Sequence, residues 1–286
     1  MKYLLFPGCK IPYYVPYYGT SSRAVLERFG IELLDQEFNC CGYPVRFLDF
    51  QSYIFSSARI LALAGERGLP LLCLCQCCYG TLCYADDLLR KDEAYFKGIT
   101  LLLKEEGLRY PSQIKIKHLL HVLADEIGPE AIWGTNKRPF KSLKVAVHYG
   151  CHILRPHDVV QFDPHPTQPS KFETLVEVTG GISVDWPLRL QCCGDPLRDK
   201  NSALSLDLRR KKMESARAAE ADVLCVACPH CQIQFTRKPE NPTEENAPGL
   251  SLPSLLYPQL LGLSLGLDEK VLGPIGFDPG QYYTSL

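Results

Sequence analysis

The chain has 286 residues, 46% of them hydrophobic, enough for one large domain or two modest ones. Its formal net charge is −1 and 22% of its residues are charged, so no basic surplus points to nucleic acid or to an anionic membrane surface. Cysteine is the outlier, at 14 residues. A disulfide framework fits poorly. The opening MKYLLFPGCK has an apolar core of only about five residues, short for a secretory signal. A chain of this length needs no staples, and neighbours such as Cys40–Cys41 and Cys77–Cys78 bridge only under strain. A reducing, cytoplasmic setting is expected, and there dense cysteine points to metal.

In chain order, residues 2–6 read as a short buried strand. Residues 20–29 follow as a helix, with Thr20 or Ser21 placed to cap its first turn and Gly30 just past its end. Residues 31–35 form a second strand, 50–64 a helix ending near Gly65, and 69–75 a third strand. The second half follows suit with strand 144–148, helix 171–179, strand 181–185, helix 203–219 and strand 222–227. Continuous apolar runs alternating with amphipathic helices indicate an α/β fold, with small, mostly parallel sheets and crossover helices. Residues 249–267 carry no charge over nearly the length of a membrane span. Two prolines, a glutamine and three serines favour instead a docked helix with Leu256, Leu260, Leu263 and Leu267 on one face. That segment is also a candidate docking surface for a partner.

The two halves repeat one another. KYLLFPGCK ends at Cys9 much as VAVHYGCH reaches Cys151. CCGYPVR (40–46) and CCGDPLR (192–198) share C-C-G-x-P-[VL]-R, and two apolar runs end in the pairs Cys75/Cys78 and Cys228/Cys231. The step from Cys41 to Cys75 is 34 residues, and from Cys193 to Cys228 it is 35. An excess of ten residues between Cys151 and Cys192 falls in the Pro- and His-rich stretch 155–170, which reads as a loop. All three cysteine groups of a half lie at or just after strand C-termini, the edge where open parallel sheets bind ligands. Glycine after each Cys-Cys allows positive φ or close approach, and helix N-termini at that edge favour thiolate over thiol.

Five thiolates in one crevice repel one another and require a cationic partner. An iron–sulfur cluster suits them, while zinc, with four ligands in a closed tetrahedron, is the alternative. The run C-x2-C-x2-C-x3-C-P of cubane ferredoxins is absent, as are G-x-G-x-x-G and the P-loop.

The pattern C-x30-CC-x33-CxxC, repeated as C-x40-CC-x34-CxxC with glycine after each Cys-Cys, resembles the Cys-Cys-Gly (CCG) domain iron–sulfur family, and within it the B subunits of heterodisulfide reductase. The resemblance spans nearly the whole chain. It implies two duplicated halves related by pseudo-twofold symmetry, with boundaries at 1–140, 141–239 and a C-terminal extension 240–286. It implies two noncubane [4Fe-4S] clusters, one held by Cys9, Cys40, Cys41, Cys75 and Cys78, the other by Cys151, Cys192, Cys193, Cys228 and Cys231. Cys73, Cys77, Cys83 and Cys225 fall outside the pattern. The implied reaction is reduction or formation of a disulfide such as CoM-S-S-CoB between the two clusters. The implied partners are a ferredoxin-type [4Fe-4S] protein, like the reductase's C subunit, and an FAD-containing protein, like its A subunit.

Other residues near the cysteines are candidates of lower specificity. His152 and Lys10 hold matching places after Cys151 and Cys9 and could serve protons at a cluster edge. Arg46 and Arg198 recur after the CCG turns, either binding a substrate anion or pinning the turn to backbone carbonyls. His230 lies inside the second CxxC and is read as packing near the cluster. The same ten cysteines also suit a thiol:fumarate reductase, a lactate or glycolate oxidising complex, or a sulfur-oxidising system. A zinc-binding scaffold without turnover is the non-enzymatic alternative.

Overall fold

The computed structural model of the chain describes residues 1–237 and 252–283. Two four-stranded sheets form, each parallel throughout. The first contains β1 (Lys2–Phe6), β2 (Glu32–Asp35), β3 (Leu71–Cys73) and β4 (Ile116–His118) in the spatial order β2-β1-β3-β4. The second contains β5 (Lys144–His148), β6 (Ile182–Val184), β7 (Val223–Val226) and β8 (Ser254–Leu256) in the equivalent order β6-β5-β7-β8. The α/β class and the two similar halves expected from the sequence are therefore present. In both sheets the order reverses between the first and third strands, the point where an open parallel sheet forms its crevice. The residues of β3 and β7 are completely buried, as their unbroken apolar runs require.

The helices of the first half are α1 (Lys10–Tyr14), α2 (Pro16–Arg28), α3 (Phe50–Glu66), α4 (Gln76–Lys91), α5 (Glu93–Glu105), α6 (Leu119–His121) and α7 (Pro129–Thr135). Those of the second are α8 (His157–Val160), α9 (Lys171–Glu177), α10 (Ser202–Ala218), α11 (Pro229–Thr236), α12 (Tyr257–Ser264) and α13 (Glu269–Leu272). The duplication extends to backbone detail. Gly42 has φ 89° and ψ −9°, Gly194 φ 88° and ψ −7°. Both α3 and α10 run for 17 residues, capped by Asp49 on the Ser52 N–H and by Asn201 on the Leu204 N–H.

Three local readings differ from the structure. Helix α2 starts at Pro16, not at Thr20. Proline has no N–H to lose at a first helical position, so it opens the helix four residues early. The Thr20 and Ser21 hydroxyls donate back to the Tyr17 carbonyl instead of capping a terminus. The short edge strands β4 and β8 have no counterpart in the apolar pattern, because each is only three residues long and owes its conformation to pairing with β3 or β7. The apolar C-terminal segment is the third difference. Its β8 completes the second sheet, and Tyr257, Leu260 and Leu261 of α12 are completely buried against α2 and neighbouring elements. Its described residues are core, and they present no free apolar face for a partner. The boundary expected at 239–240 and residues 249–251 lie outside the described residues.

The halves are joined at the site edge. Tyr18 of α2 directs its hydroxyl at the Leu74 carbonyl (2.8 Å) and the Ala227 carbonyl (3.0 Å), the residues just before Cys75 and Cys228. The 155–170 stretch is pinned across the halves as well. Tyr79 of α4 donates to the Val160 carbonyl at 2.8 Å, while within the second half Asp163 accepts from the Ser170 and Lys171 N–H groups at 2.9 Å.

Two substitutions probe this packing. Tyr18→Phe leaves buried carbonyls short of a donor and is expected to destabilise the chain by about 1–3 kcal/mol, read as a lowered urea midpoint at unchanged m-value. Leu260→Ala is expected to cost about 2–5 kcal/mol, while Leu101→Ala, on the 65% exposed Leu101, stays within about 0.5 kcal/mol. Equal effects at the buried and exposed leucines would contradict the placement of α12 in the core.

Candidate functional site

Each cysteine group sits where a strand has ended and a helical turn begins. In the first half Cys9 precedes α1, Cys40–Cys41 enter the turn Tyr43–Val45, and Cys75 precedes α4. A Cβ at Gly42 would stand 2.7 Å from the Tyr53 carbonyl oxygen, so only glycine lets the turn lie on α3. Ser57 of α3 secures it by donating to the Cys41 carbonyl at 2.7 Å. A Cβ at Gly8 would reach 2.8 Å from Cys78 Sγ, and this bare backbone lets β1 approach the CxxC turn. Cys9 Sγ lies 4.0 Å from Cys40 Sγ, and Cys41 hydrogen-bonds both Cys40 and Cys78. Cys75 hydrogen-bonds Cys77 and Cys78. The first-half quintet is thus continuous, with Cys77 as a sixth thiol beside it.

The second half repeats the arrangement. Cys192 hydrogen-bonds Cys151 and Cys193, Cys193 reaches Cys231, and Cys231 reaches Cys228. The Gly194 N–H donates to Cys192 Sγ at 3.4 Å. The electrostatics of the two Cys-Cys pairs match between the halves. Hydrogen bonds from Cys41 and Cys9 push Cys40 down to about 2, and bonds from Cys151 and Cys193 do the same to Cys192. The proton-donating neighbours Cys41 and Cys193 are pushed up to about 12, chiefly by those same bonds. Cys40 and Cys192 are therefore easily formed thiolates beside thiols that resist ionisation, as crowded like charges require. In the first set Cys75 too is held well below the ordinary thiol range, the influence of Cys228, Cys77 and Cys78 outweighing its burial, whereas its counterpart Cys228 is pushed up by burial.

The two sets meet. Cys75 and Cys228 lie beside one another and interact across the junction of the halves. Beside them Tyr43, Gln76 and Cys77 face His152, His230 and the second-half thiols around a narrow chamber. Both amide atoms of buried Gln76, His148 Nδ1 and Asp195 Oδ1 have no hydrogen-bond partner among the described residues. Such orphaned groups around gathered thiols fit a bound inorganic cluster. His230 Nδ1 lies 2.5 Å from Asp195 Oδ2. Burial alone would lower the His230 pKa, but the Asp195 bond and the nearby Cys75 raise it above its ordinary value.

The lesser candidates separate. His152 lines the chamber, 3.2 Å from Cys151 Sγ and edge-on to Tyr43, with burial lowering its pKa. Lys10 does not line the chamber; its ammonium lies over the Tyr14 ring. Arg46 pins its turn, donating to the Tyr43 carbonyl at 2.8 Å while stacking on the Tyr43 and Phe47 rings. Arg198 pairs with Asp199 and Asp195 in place of a turn carbonyl. Cys73 and Cys225 are fully buried strand residues, and Cys83 hydrogen-bonds Tyr79 beside a separate acidic cavity.

Two further residues join the site without being marked by the cysteine pattern. His148, buried at the end of β5, lies 3.3 Å from Cys231 Sγ and forms with Cys193 and Cys231 a group whose ligand atoms all fall within 4.8 Å. Its signal is the H-x-x-C of VAVHYGCH, although the first half has Phe6 at that place. Lys212 is buried on α10 with its ammonium directed to carbonyls near Cys192. Nothing in an amphipathic helix pattern distinguishes it from a solvated lysine. The His148 group alone would suit zinc, but Cys151, Cys192 and Cys228 adjoin it, more sulfur than one tetrahedral ion takes. The donor sets fit a multinuclear sulfur-ligated cluster in each half.

Comparison with known proteins agrees. The family described as "Cysteine-rich domain" (CCG) matches residues 3–82 and 145–236. The chain is 32% identical over 277 residues to the B subunit of the ferredoxin/F(420)H(2)-dependent CoB-CoM heterodisulfide reductase of Methanosarcina acetivorans, covering 95% of this chain and 92% of that protein. It is 31% identical to a protein of Archaeoglobus profundus described as like the heterodisulfide reductase B subunit, with 96% and 94% covered. It is also 31% identical to the 8-methylmenaquinol:fumarate reductase membrane anchor subunit of Wolinella succinogenes, with 95% of each covered. The crystal structure of a hypothetical protein from Helicobacter pylori shares the fold, with a TM-score of 0.71 and 19% identity over 95% of this chain. This chain spans half the length of that one.

Substitution distinguishes the gathered thiols from the solitary ones. Cys225→Ala is expected to leave the metal content of anaerobically isolated protein unchanged, whereas Cys193→Ala lowers it by about half, one of two sets being lost. Equal loss in both variants would contradict the grouping.

Proposed function

The chain belongs to the cysteine-rich CCG domain family, and from that membership we propose that it is the iron–sulfur subunit of a heterodisulfide reductase-like complex. In this reading residues 1–140 and 141–239 form two cluster-holding units. Cys9, Cys40, Cys41, Cys75 and Cys78 hold one noncubane [4Fe-4S] cluster. Cys151, Cys192, Cys193, Cys228 and Cys231 hold the other. The observation that supports the reading most is the approach of Cys75 to Cys228, through which the cysteine groups of the two halves adjoin.

Disulfide reduction takes two electrons and two protons and yields two thiols. When bound, the clusters supply one-electron steps and an iron-centred site for each sulfur. The chain's own residues hold the substrate between the halves. Tyr43 and His152, which wall the chamber, also wall an open pocket of about 520 Å³ lined by Phe47, Phe50, Tyr53 and Tyr84 with Arg46 and Arg155. Among the described residues no carboxylate lines that pocket, so it suits a thiol half with an apolar body and a terminal anion. Gln76 closes the chamber from the first half, and the His230–Asp195 pair from the second, which limits water at the reacting sulfurs. Electrons come from a ferredoxin-type protein and an FAD-containing protein in the cytoplasm. No helix among the described residues is long and apolar enough to cross a membrane.

The Wolinella relative, named for fumarate reduction, favours a second reading in which the same sulfur sets serve a different redox partner. The grouping of His148, Cys193 and Cys231 favours a third, a zinc scaffold. Metal and sulfide analysis of anaerobically purified protein separates the redox readings from the scaffold. About eight irons with matching acid-labile sulfide, and an electron paramagnetic resonance signal altered by added thiol, are expected. One or two zincs without sulfide would establish the scaffold. Cys193→Ala is expected to abolish disulfide turnover while the spectrum of the first-half cluster persists, and unchanged turnover would count against the two-cluster site.

A further inference from the structure

The two sulfur sets share a framework but not their surroundings. Gly42 and Gly194, with the caps Asp49 and Asn201, put α3 and α10 in one register, so Ile60 and Lys212 occupy matching places. Ile60 is completely buried hydrocarbon, and Lys212, at 1% exposure, brings an ammonium into the corresponding position. Its Nζ donates to the carbonyls of Leu188 and Gln191, the latter at 3.0 Å and directly before Cys192. The ammonium lies 4.8 Å from the centroid of the Trp186 ring. Its partners are carbonyls, and no carboxylate among the described residues pairs with it.

Burying an unpaired ammonium is unfavourable unless an anion answers it. Burial lowers the Lys212 pKa to about 8, and the groups that oppose the fall are Cys193, Cys231, Cys192 and Cys151, four of the second quintet. The Asp195 carboxylate is engaged by His230, and that pairing offsets the charge His230 brings to bear on Cys75 of the first set. Among the described residues the first half buries no lysine or arginine, and its buried His118 and His121 are pushed down to about 4 and about 3 by desolvation, so they are neutral. A fixed positive charge stabilises the reduced form of a sulfur-ligated cluster more than the oxidised form, and a buried position leaves that effect weakly screened.

We propose that Lys212 makes the second sulfur set the electron-accepting member of the pair. One electron leaves the first set, which is oxidised, and enters the second, which is reduced; no proton moves in that transfer. Lys212 acts through the sulfur set and touches no substrate. This inference rests on both sets holding iron–sulfur clusters, as proposed above.

The test is a redox titration followed by electron paramagnetic resonance on the anaerobically purified complex, with iron content measured first. The signal lost in Cys193→Ala identifies the second set. In the unsubstituted protein that signal is expected at the higher midpoint potential. Lys212→Met is expected to lower its reduced-to-oxidised ratio roughly tenfold at fixed potential, the scale of one charge acting through an effective dielectric of about 20. The other signal stays in place, and Lys212→Arg, which keeps the charge, restores the ratio. A second-set signal at the lower potential, equal movement of both signals, or no movement in Lys212→Met overturns the proposal while leaving the iron–sulfur reading intact. Absence of iron overturns both. Should Lys212→Met fail to retain iron, the order of the two unsubstituted potentials decides.

Discussion

Cys75 and Cys228 meet at the junction of the two halves, and Tyr18 reaches the carbonyls immediately before both. That contact constrains the rest of the molecule. A strand that ends in a CxxC turn can reach its twin only if both sheets point the same edge inward. The identical strand orders, with their reversals between first and third strands, achieve this. The glycines serve the same end. Gly8 and Gly42 bring bare backbone to places where a Cβ would strike Cys78 or the Tyr53 carbonyl. Helix α12 and strand β8 then close the second half and pack against α2, the helix that carries Tyr18.

The cost of that convergence is electrostatic. Ten sulfurs in two adjoining groups cannot all be thiolate, and the opposed shifts of Cys40 against Cys41, and of Cys192 against Cys193, express this directly. A multinuclear cation cluster resolves the conflict for a whole quintet, which a single tetrahedral ion does not. Duplication supplied two equal sulfur sets, and substitution around them made the sets unequal. Where the first half has Phe6, Tyr43, Ile60 and Cys77, the second has His148, Asp195, Lys212 and His230. At these places the first half carries aromatic, aliphatic or thiol groups and the second ionisable ones, and one of the latter, His230, also bears on Cys75 of the first set. The polar residues of the second half accordingly face the chamber or its supporting turn, and the aromatics of the first half shape the adjoining pocket.

Much of this is legible in the chain itself. The alternation of apolar runs with amphipathic helices locates both central strands of each sheet, and the repeat of C-C-G-x-P-[VL]-R aligns the halves to the residue. Helix starts are less legible. Pro16 displaces the expected cap at Thr20, because a proline that loses no hydrogen bond can open a helix earlier than a hydroxyl can cap one. The edge strands Ile116–His118 and Ser254–Leu256 leave no mark, since three residues carry no period and their backbone is shaped by the strand beside them. The apolar C-terminal segment reads as a helix to be covered, but an apolar face does not say whether its cover is the same chain or another.

The α/β class and the duplication follow from the order of residues, because periodicity and spacing are properties of the chain alone. Three-dimensional packing was needed to bring Cys75 to Cys228, to add His148 to the second sulfur set, to keep Lys10 outside the chamber that His152 lines, and to bury Lys212. Those facts depend on which side chains distant elements bring within a few ångströms, and no local pattern encodes that. A lysine on a helix is solvated or buried according to what packs over it, and here Trp186 and the approach to Cys192 pack over it.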